Sequence, residues 1–274
     1  GGEKAEQNGK QVTGKAEIPP EIAAWFAGRG WRVRAHQAAM LAAADAAHHA
    51  LLVADTGAGK TLAGFLPTLA DFAPSRLDGG PAPEGLHTLY VSPLKALAHD
   101  VQRNLMAPIE EIGLAIRVET RSGDTPSDRK ARQRARPPHV LLTTPESLSL
   151  LLSYPEAGQL FATLKRVVID EVHAFATGKR GDLLALALAR LQALAPEMRR
   201  VALSATVADP GEFRGWLAPH ISTGGGEIDT VALIEGEKGA LLRPVLQLPV
   251  LHRHFQGALH GSGAIICQEN AGQG

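Results

Sequence analysis

From about residue 50 to residue 204 the chain repeats one pattern, a short apolar run followed by a longer stretch of helical composition. The runs are Ala50–Val53, Thr88–Val91, Ile116–Glu119, Val140–Thr143, Val167–Ile169 and Val201–Ser204. Between them lie Lys60–Phe72, Lys95–Ile112, Ser127–Arg136, Pro145–Leu152 and Gly181–Leu194. A strand that is apolar throughout, rather than at every second residue, is one buried on both faces. The pattern therefore predicts an α/β fold: a doubly wound, mostly parallel sheet with helices on both faces, over about residues 20–220. Two helical stretches precede it: Glu21–Ala27, carrying Trp25 and Phe26, and the alanine-rich Ala35–Ala47. The Pro- and Gly-rich segment Ala73–Gly85 reads as a loop.

The flanks read differently. Residues 1–17, rich in Gly, Lys, Glu and Gln, are expected to be disordered, and they lack the apolar core of a secretory signal. No apolar run approaches the ~20 residues that span a bilayer, so no membrane association and a cytoplasmic location are expected. The single cysteine, Cys267, excludes an internal disulfide framework and a cysteine-based zinc site. Lys+Arg and Asp+Glu balance at 28 each, so any site for a polyanion must be local. Gly224-Gly225-Gly226 breaks the alternating pattern. Residues 18–223 are expected to form the domain, and residues 224–274 an atypical tail whose composition suggests truncation or a shifted reading frame.

The strongest chemical signal is Ala54-Asp55-Thr56-Gly57-Ala58-Gly59-Lys60-Thr61, set between a strand and a helix. Glycines there let backbone N–H groups curl around phosphates, and the helix N-terminus adds its dipole. Lys60 reaches the β- and γ-phosphates of a nucleoside triphosphate, and the Thr61 hydroxyl is a magnesium ligand. Ala54 stands where the strict pattern has glycine, so the match rests on Gly57, Gly59, Lys60 and Thr61. A second signal is Val167-Val168-Ile169-Asp170-Glu171-Val172-His173, an apolar strand ending in two acids. Asp170 would complete the magnesium shell and Glu171 would orient and deprotonate the attacking water. Taken alone, the two acids are equally well read as a solvated pair at a strand end. Ser204-Ala205-Thr206 follows the next strand and draws its weight from that position alone, since small hydroxyl residues commonly cap helices.

Other features carry less. The basic run Arg129, Lys130, Arg132, Arg134 and Arg136 reads as a solvated helix face in preference to a phosphate track. His48-His49 reads as a surface turn, and His252 and His254 as loop residues without partners at metal-site spacing. For at least one of Trp25 and Trp31, core packing is favoured over stacking on a base.

In order along the chain, Ala54–Thr61, Ser92-Pro93-Leu94-Lys95-Ala96-Leu97, Thr143-Thr144-Pro145-Glu146-Ser147-Leu148, Asp170-Glu171-Val172-His173 and Ser204-Ala205-Thr206 resemble motifs I, Ia, Ib, II and III of superfamily 2 helicases. Three further segments, Arg34-Ala35-His36-Gln37, Thr120–Thr125 and Lys179-Arg180-Gly181, are similar to the large helicase-related (Lhr) family. The P-loop continued to Phe65, with Trp25 and Trp31 upstream, resembles the bacterial ligase-associated DEXH-box helicases within it. The resemblance covers about residues 18–217 and implies a RecA-like P-loop NTPase lobe that uses ATP and magnesium.

Residue by residue, the resemblance implies an ATP site of Arg34, Gln37, Thr56, Gly57, Ala58, Gly59, Lys60 and Thr61, with Gln37 on the adenine edge. It implies a catalytic set of Lys60, Asp170 and Glu171, with Thr61 and Asp170 on magnesium. It implies coupling of ATP state to strand grip through His173, Ser204 and Thr206, and nucleic-acid backbone contacts at Pro93, Lys95, Arg121, Gly123, Thr144 and Pro145. The implied partners are single-stranded or partly duplex DNA, with RNA as the alternative, and an ATP-dependent DNA ligase and a nuclease in DNA repair. Motifs IV to VI belong to a second RecA-like lobe, and no segment here matches them. The chain alone is therefore expected to hydrolyse ATP weakly or not at all. Two other readings stay open: a catalytically silent, ATP-responsive nucleic-acid-binding module, and a P-loop ATPase acting on protein.

Overall fold

The computed structural model describes residues 17–55, 57–93, 95–175, 178–205, 209–218 and 231–236, the side chains of 95–100, 103 and 104 excepted. Its centre is one sheet of β1 (His49–Val53), β2 (Thr88–Val91), β3 (Val118–Arg121), β4 (Val140–Thr143), β5 (Arg166–Ile169), β6 (Arg199–Ser204) and β7 (Val231–Glu235). The strand order is β3-β4-β2-β5-β6-β1-β7, and every pairing is parallel.

The strands are apolar throughout because each side of the sheet has its own core. Successive residues split between the two faces, as the period of two requires. Leu52, Tyr90, Leu142, Val168 and Leu203 face one core. Leu51, Leu89, Leu141, Val167 and Ala202 face the other. The first core is closed by α1 (Pro20–Gly28), α2 (Ala35–Asp45), α3 (Lys60–Asp71) and α5 (Lys95–Ile112), through residues such as Phe26, Met40, Phe65 and Leu105. The second is closed by α7 (Pro145–Ser153), α8 (Ala157–Phe161), α9 (Lys179–Leu194) and α10 (Pro210–Leu217), through Leu148, Phe161, Leu188 and Leu217. Short α4 (Pro74–Leu77) lies within the stretch expected to be a loop, and α6 (Ser127–Ala135) carries the basic run. None of the described helices is long and apolar enough to cross a membrane.

Several expectations need correction. Strand β3 begins at Val118 rather than Ile116, because Leu114 and Ile116 are spent plugging the core before the strand starts. As an edge strand, β3 carries Glu119, which is ion-paired to Arg129 and Arg132 of α6. Strand β7 lies beyond the boundary expected at residue 223; it pairs with β1 from His49↔Val231 to Val53↔Glu235. Five apolar-leaning residues isolated after a glycine triplet gave no periodic context from which to read it. Outside 231–236, the expectations for residues 219–274 and for residues 1–16 fall on segments outside the described residues, His252 and His254 included.

Candidate functional site

Ligands of open parallel sheets bind at the carboxyl ends of the strands, and three adjacent strands, β5, β6 and β1, bring the predicted chemistry together there. After β1, Gly57 and Gly59 take φ of +83° and +78°, a region that side chains rarely adopt, so the loop can double back before α3 starts at Lys60. The Lys60 ammonium is buried and donates to the Ala54 carbonyl across the loop (2.8 Å). The buried His36 ring lies against the loop from α2, its Nε2 3.0 Å from the Ala58 carbonyl oxygen. Gln37 packs beside it, and a Cβ added to Gly59 would come within 3.2 Å of Gln37 Nε2. The Arg34 N–H donates to Gln37 Oε1 (2.9 Å), which fixes the amide at the start of α2, while Arg34 itself is exposed.

Ala54, the departure from the strict glycine pattern, has a structural counterpart. Gly236, at the end of β7, donates its N–H to the Val53 carbonyl (2.7 Å). A Cβ on Gly236 would lie 2.2 Å from the Ala54 Cβ. The methyl on Ala54 is thus accommodated by its absence on Gly236.

The acids sit two strands away. Asp170 follows β5 and is buried. Its Oδ1 accepts the Glu171 N–H (2.9 Å), and its Oδ2 accepts the Tyr90 hydroxyl. Burial holds the Asp170 carboxyl above its ordinary range; the Tyr90 hydrogen bond opposes this and the neighbouring Glu171 charge adds to it. Glu171 has a φ of +48°, an uncommon backbone for a residue with a side chain. Its Oε2 lies 3.3 Å from His173 Nε2, and His173 Nδ1 lies 3.0 Å from Ser204 Oγ. The Ser204 carbonyl in turn accepts the Ala54 N–H (3.1 Å). A continuous polar chain therefore runs from Glu171 through His173 and Ser204 to Ala54, the first residue of the glycine-rich loop.

Among the described residues no group of three or more His, Cys, Asp or Glu side chains could hold a metal. The Thr61 hydroxyl and the Asp170 carboxylate, the latter accepting the Tyr90 phenol O–H, supply two oxygens. That fits magnesium, which takes one or two protein oxygens and fills its octahedron with phosphate oxygens and water.

The other half of the same edge, behind β3, β4 and β2, carries the predicted nucleic-acid contacts. Pro93 is buried, and its carbonyl accepts Arg180 Nη2 (2.9 Å). The Arg180 Nε donates to Glu146 Oε1 (2.7 Å). Thr144 caps α7, its hydroxyl oxygen accepting the Ser147 N–H (3.4 Å), and Pro145 opens that helix. The Gly123 carbonyl accepts the Lys130 ammonium (2.8 Å). Arg121 departs from expectation. It is buried, donates to the Lys130 carbonyl (3.0 Å) and lies 6.0 Å from the centre of the Tyr154 ring, so its guanidinium is already engaged within the fold. Lys95 opens α5, but its side chain, like Thr56 and Thr206, lies outside the described residues.

His49 is not a surface turn residue: it begins β1, is buried, and accepts the Arg200 N–H on Nδ1 (2.9 Å). Trp25 packs against the core, whereas Trp31 is exposed, with Arg29 within cation–π range of both rings. Tyr90, Arg180, His36 and Gly236 gained no role from the sequence. Their partners lie 22 to 182 positions away in the chain, too far for any local pattern to link them. The Arg34-Ala35-His36-Gln37 and Lys179-Arg180-Gly181 resemblances did include two of them, His36 and Arg180.

Sequence and structural comparison places these features in a known group. The DEAD/DEAH box helicase family pattern matches residues 34–213. The ATP-dependent helicase Lhr-Core of Methanothermobacter thermautotrophicus is 42% identical over 167 residues, which is 57% of this chain and 19% of that protein. The Lhr helicase/probable uracil glycosylase of Mycolicibacterium smegmatis is 43% identical over 213 residues, 71% of this chain and 14% of that protein. A solved structure of Mycobacterium smegmatis helicase Lhr bound to ssDNA and AMP-PNP matches with a TM-score of 0.70 at 36% identity, covering 83% of this chain and 28% of that one. The chain thus spans less than a third of the length of these relatives.

Proposed function

Because the chain belongs to the DEAD/DEAH box helicase family, we propose that it is the ATP-binding, RecA-like lobe of an Lhr-type, ATP-dependent DNA helicase, coupling hydrolysis to movement along one strand and opening of a duplex. The observation that carries this reading is the unbroken chain Glu171–His173–Ser204–Ala54, which ties the residue proposed to handle the attacking water to the loop proposed to hold the phosphates.

In the proposed site the loop N–H groups and Lys60 bind the β- and γ-phosphates, and Glu171 orients and deprotonates water in line with the γ-phosphate. Thr61 and Asp170 would hold magnesium, which neutralises charge building on the phosphate oxygens. Conversion to diphosphate changes what Glu171 faces, and His173 and Ser204 pass that change to β6. Pro93, Lys95, Gly123, Thr144 and Pro145 stand at strand ends where backbone contacts, which carry little sequence information, would be made. Binding of ssDNA and AMP-PNP by the Mycobacterium smegmatis helicase supports both ligands for this lobe. DNA repair, cytoplasmic action, and partnership with an ATP-dependent ligase and a nuclease complete the proposal. Full activity is proposed to need a second RecA-like lobe, whose arginines are worth roughly 10³–10⁵ in rate in related phosphoryl transfer.

ATP turnover by the wild-type chain and by Glu171→Gln, each with and without single-stranded DNA, tests the reading. Slow wild-type turnover that falls about 10²-fold or more in the variant, with nucleotide binding retained, is expected. Equal inertness of the two would favour a catalytically silent module.

A further inference from the structure

Strand β2 is apolar and buried, yet its third residue carries a hydroxyl. Tyr90 has no solvent exposure, and a buried phenol is tolerated only where its hydroxyl finds partners. Tyr90 pairs in register with Val168 of β5 and faces the core beneath α3, where its ring stacks on Phe65 (centroids 5.0 Å apart, 18° between planes). That placement aims the hydroxyl at the carboxyl end of the sheet, between the first turn of α3 and the tip of β5. It donates to Asp170 Oδ2. Asp170 is one of the two side chains read above as the protein's share of a magnesium shell; the other, Thr61, comes from an element 109 positions away in the chain.

We propose that Tyr90 is a positioning residue for that shell: its phenol O–H sets the orientation of the Asp170 carboxylate so that it can share a single cation with the Thr61 hydroxyl. The inference rests on the reading of this site as one for magnesium and nucleotide. Magnesium demands near-ideal octahedral geometry at about 2.0–2.1 Å. A site with only two protein oxygens has no third ligand to correct a misplaced one. Asp170 Oδ1 is fixed by the Glu171 N–H, so the Tyr90 bond determines the direction of Oδ2. A leucine or valine would fill this strand position without that link.

The test is a magnesium titration of fluorescent ADP binding by the full chain, with parallel titrations in EDTA, for wild type, Tyr90→Phe and Phe65→Leu. Tyr90→Phe keeps the ring and removes the hydroxyl; Phe65→Leu keeps the hydroxyl and removes the stacking partner. For Tyr90→Phe, the magnesium concentration at half-saturation should rise about tenfold, the lower end of the usual cost of losing a hydrogen-bond partner of a metal ligand. Affinity in EDTA should not change. Phe65→Leu should lower the melting temperature while leaving the magnesium half-saturation in place. A Tyr90→Phe titration superimposing on wild type, or equal shifts in the two variants, would overturn the proposal while leaving the nucleotide site intact. Absence of magnesium-dependent binding in the wild type would overturn the site reading and this inference with it.

Discussion

Glu171 sits on a backbone that costs an L-residue roughly 1–2 kcal/mol, and it is the residue proposed to handle water. Strain held where chemistry is done should be relieved by a residue with no side chain. Glu171→Gly is expected to hold stability level or raise it by up to ~1 kcal/mol in urea denaturation, while ATP turnover falls about 10²-fold. A clear loss of stability would show that the carboxylate, through His173, holds the turn. Ala54 and Gly236 form the second residue-scale case. Gly236→Ala places a methyl 2.2 Å from the Ala54 Cβ and should destabilise by about 1–3 kcal/mol. Adding Ala54→Gly should restore most of that loss; additive losses in the double variant would refute the pairing. Lys60, Thr61, Asp170 and Glu171 were legible because each motif is a few consecutive residues at one strand end. Gly236 was not, because its only signal is a methyl group 182 positions away.

At the scale of elements, the interior strands were readable and the edges were not. Strands β1, β2, β4, β5 and β6 lie between two cores, and burial on both faces wrote itself as continuous apolar runs. Strand β3, at one edge, uses polar residues to meet α6, and β7, at the other, stands alone in sequence. The helix whose placement matters most is α3, because it delivers Lys60 and Thr61. It approaches the sheet through Gly64, where a Cβ would lie 2.9 Å from Leu203 Cδ1 and 3.2 Å from Val168 Cγ1. Gly64→Val should therefore lift α3 off β5 and β6. The expected result is a stability loss of about 1–3 kcal/mol together with weaker nucleotide binding, measured by melting and by fluorescent ADP titration. Undiminished ADP affinity would mean that the loop, not the seating of the helix, sets the position of Lys60.

Across the whole molecule the two ends of the sheet have opposite characters. The carboxyl end holds the candidate site, while the amino end buries three imidazoles: His49 on β1, His87 before β2 and His139 before β4. Burial lowers all three, His49 and His139 to about 4. Arg199 and Arg200 beside His49, and Arg117 and His87 beside His139, push the same way, whereas Asp71 partly supports the charged form of His87. Geometry gives the reason in atomic detail. Nδ1 of His49 accepts the Arg200 N–H (2.9 Å) and Nδ1 of His139 accepts the Arg117 N–H (3.0 Å). A protonated ring has no acceptor to offer there. With the folded values below the ordinary 6.5, the unfolded chain binds more protons between the two. The stability that His49 and His139 contribute is thus complete above about pH 6.5 and is lost as pH falls from 6.5 toward 4, at a slope on the order of 1 kcal/mol per pH unit for each of the two. Melting temperatures from pH 7.5 to 4.5 should fall steeply for the wild type. His49→Asn/His139→Asn, whose amide oxygens can accept the same N–H bonds, should flatten that decline below pH 6. A double variant as acid-sensitive as the wild type would assign the loss to the carboxylates instead. The Asp71 carboxyl, which His87 and Arg166 hold below its ordinary range, would then be the first group to examine.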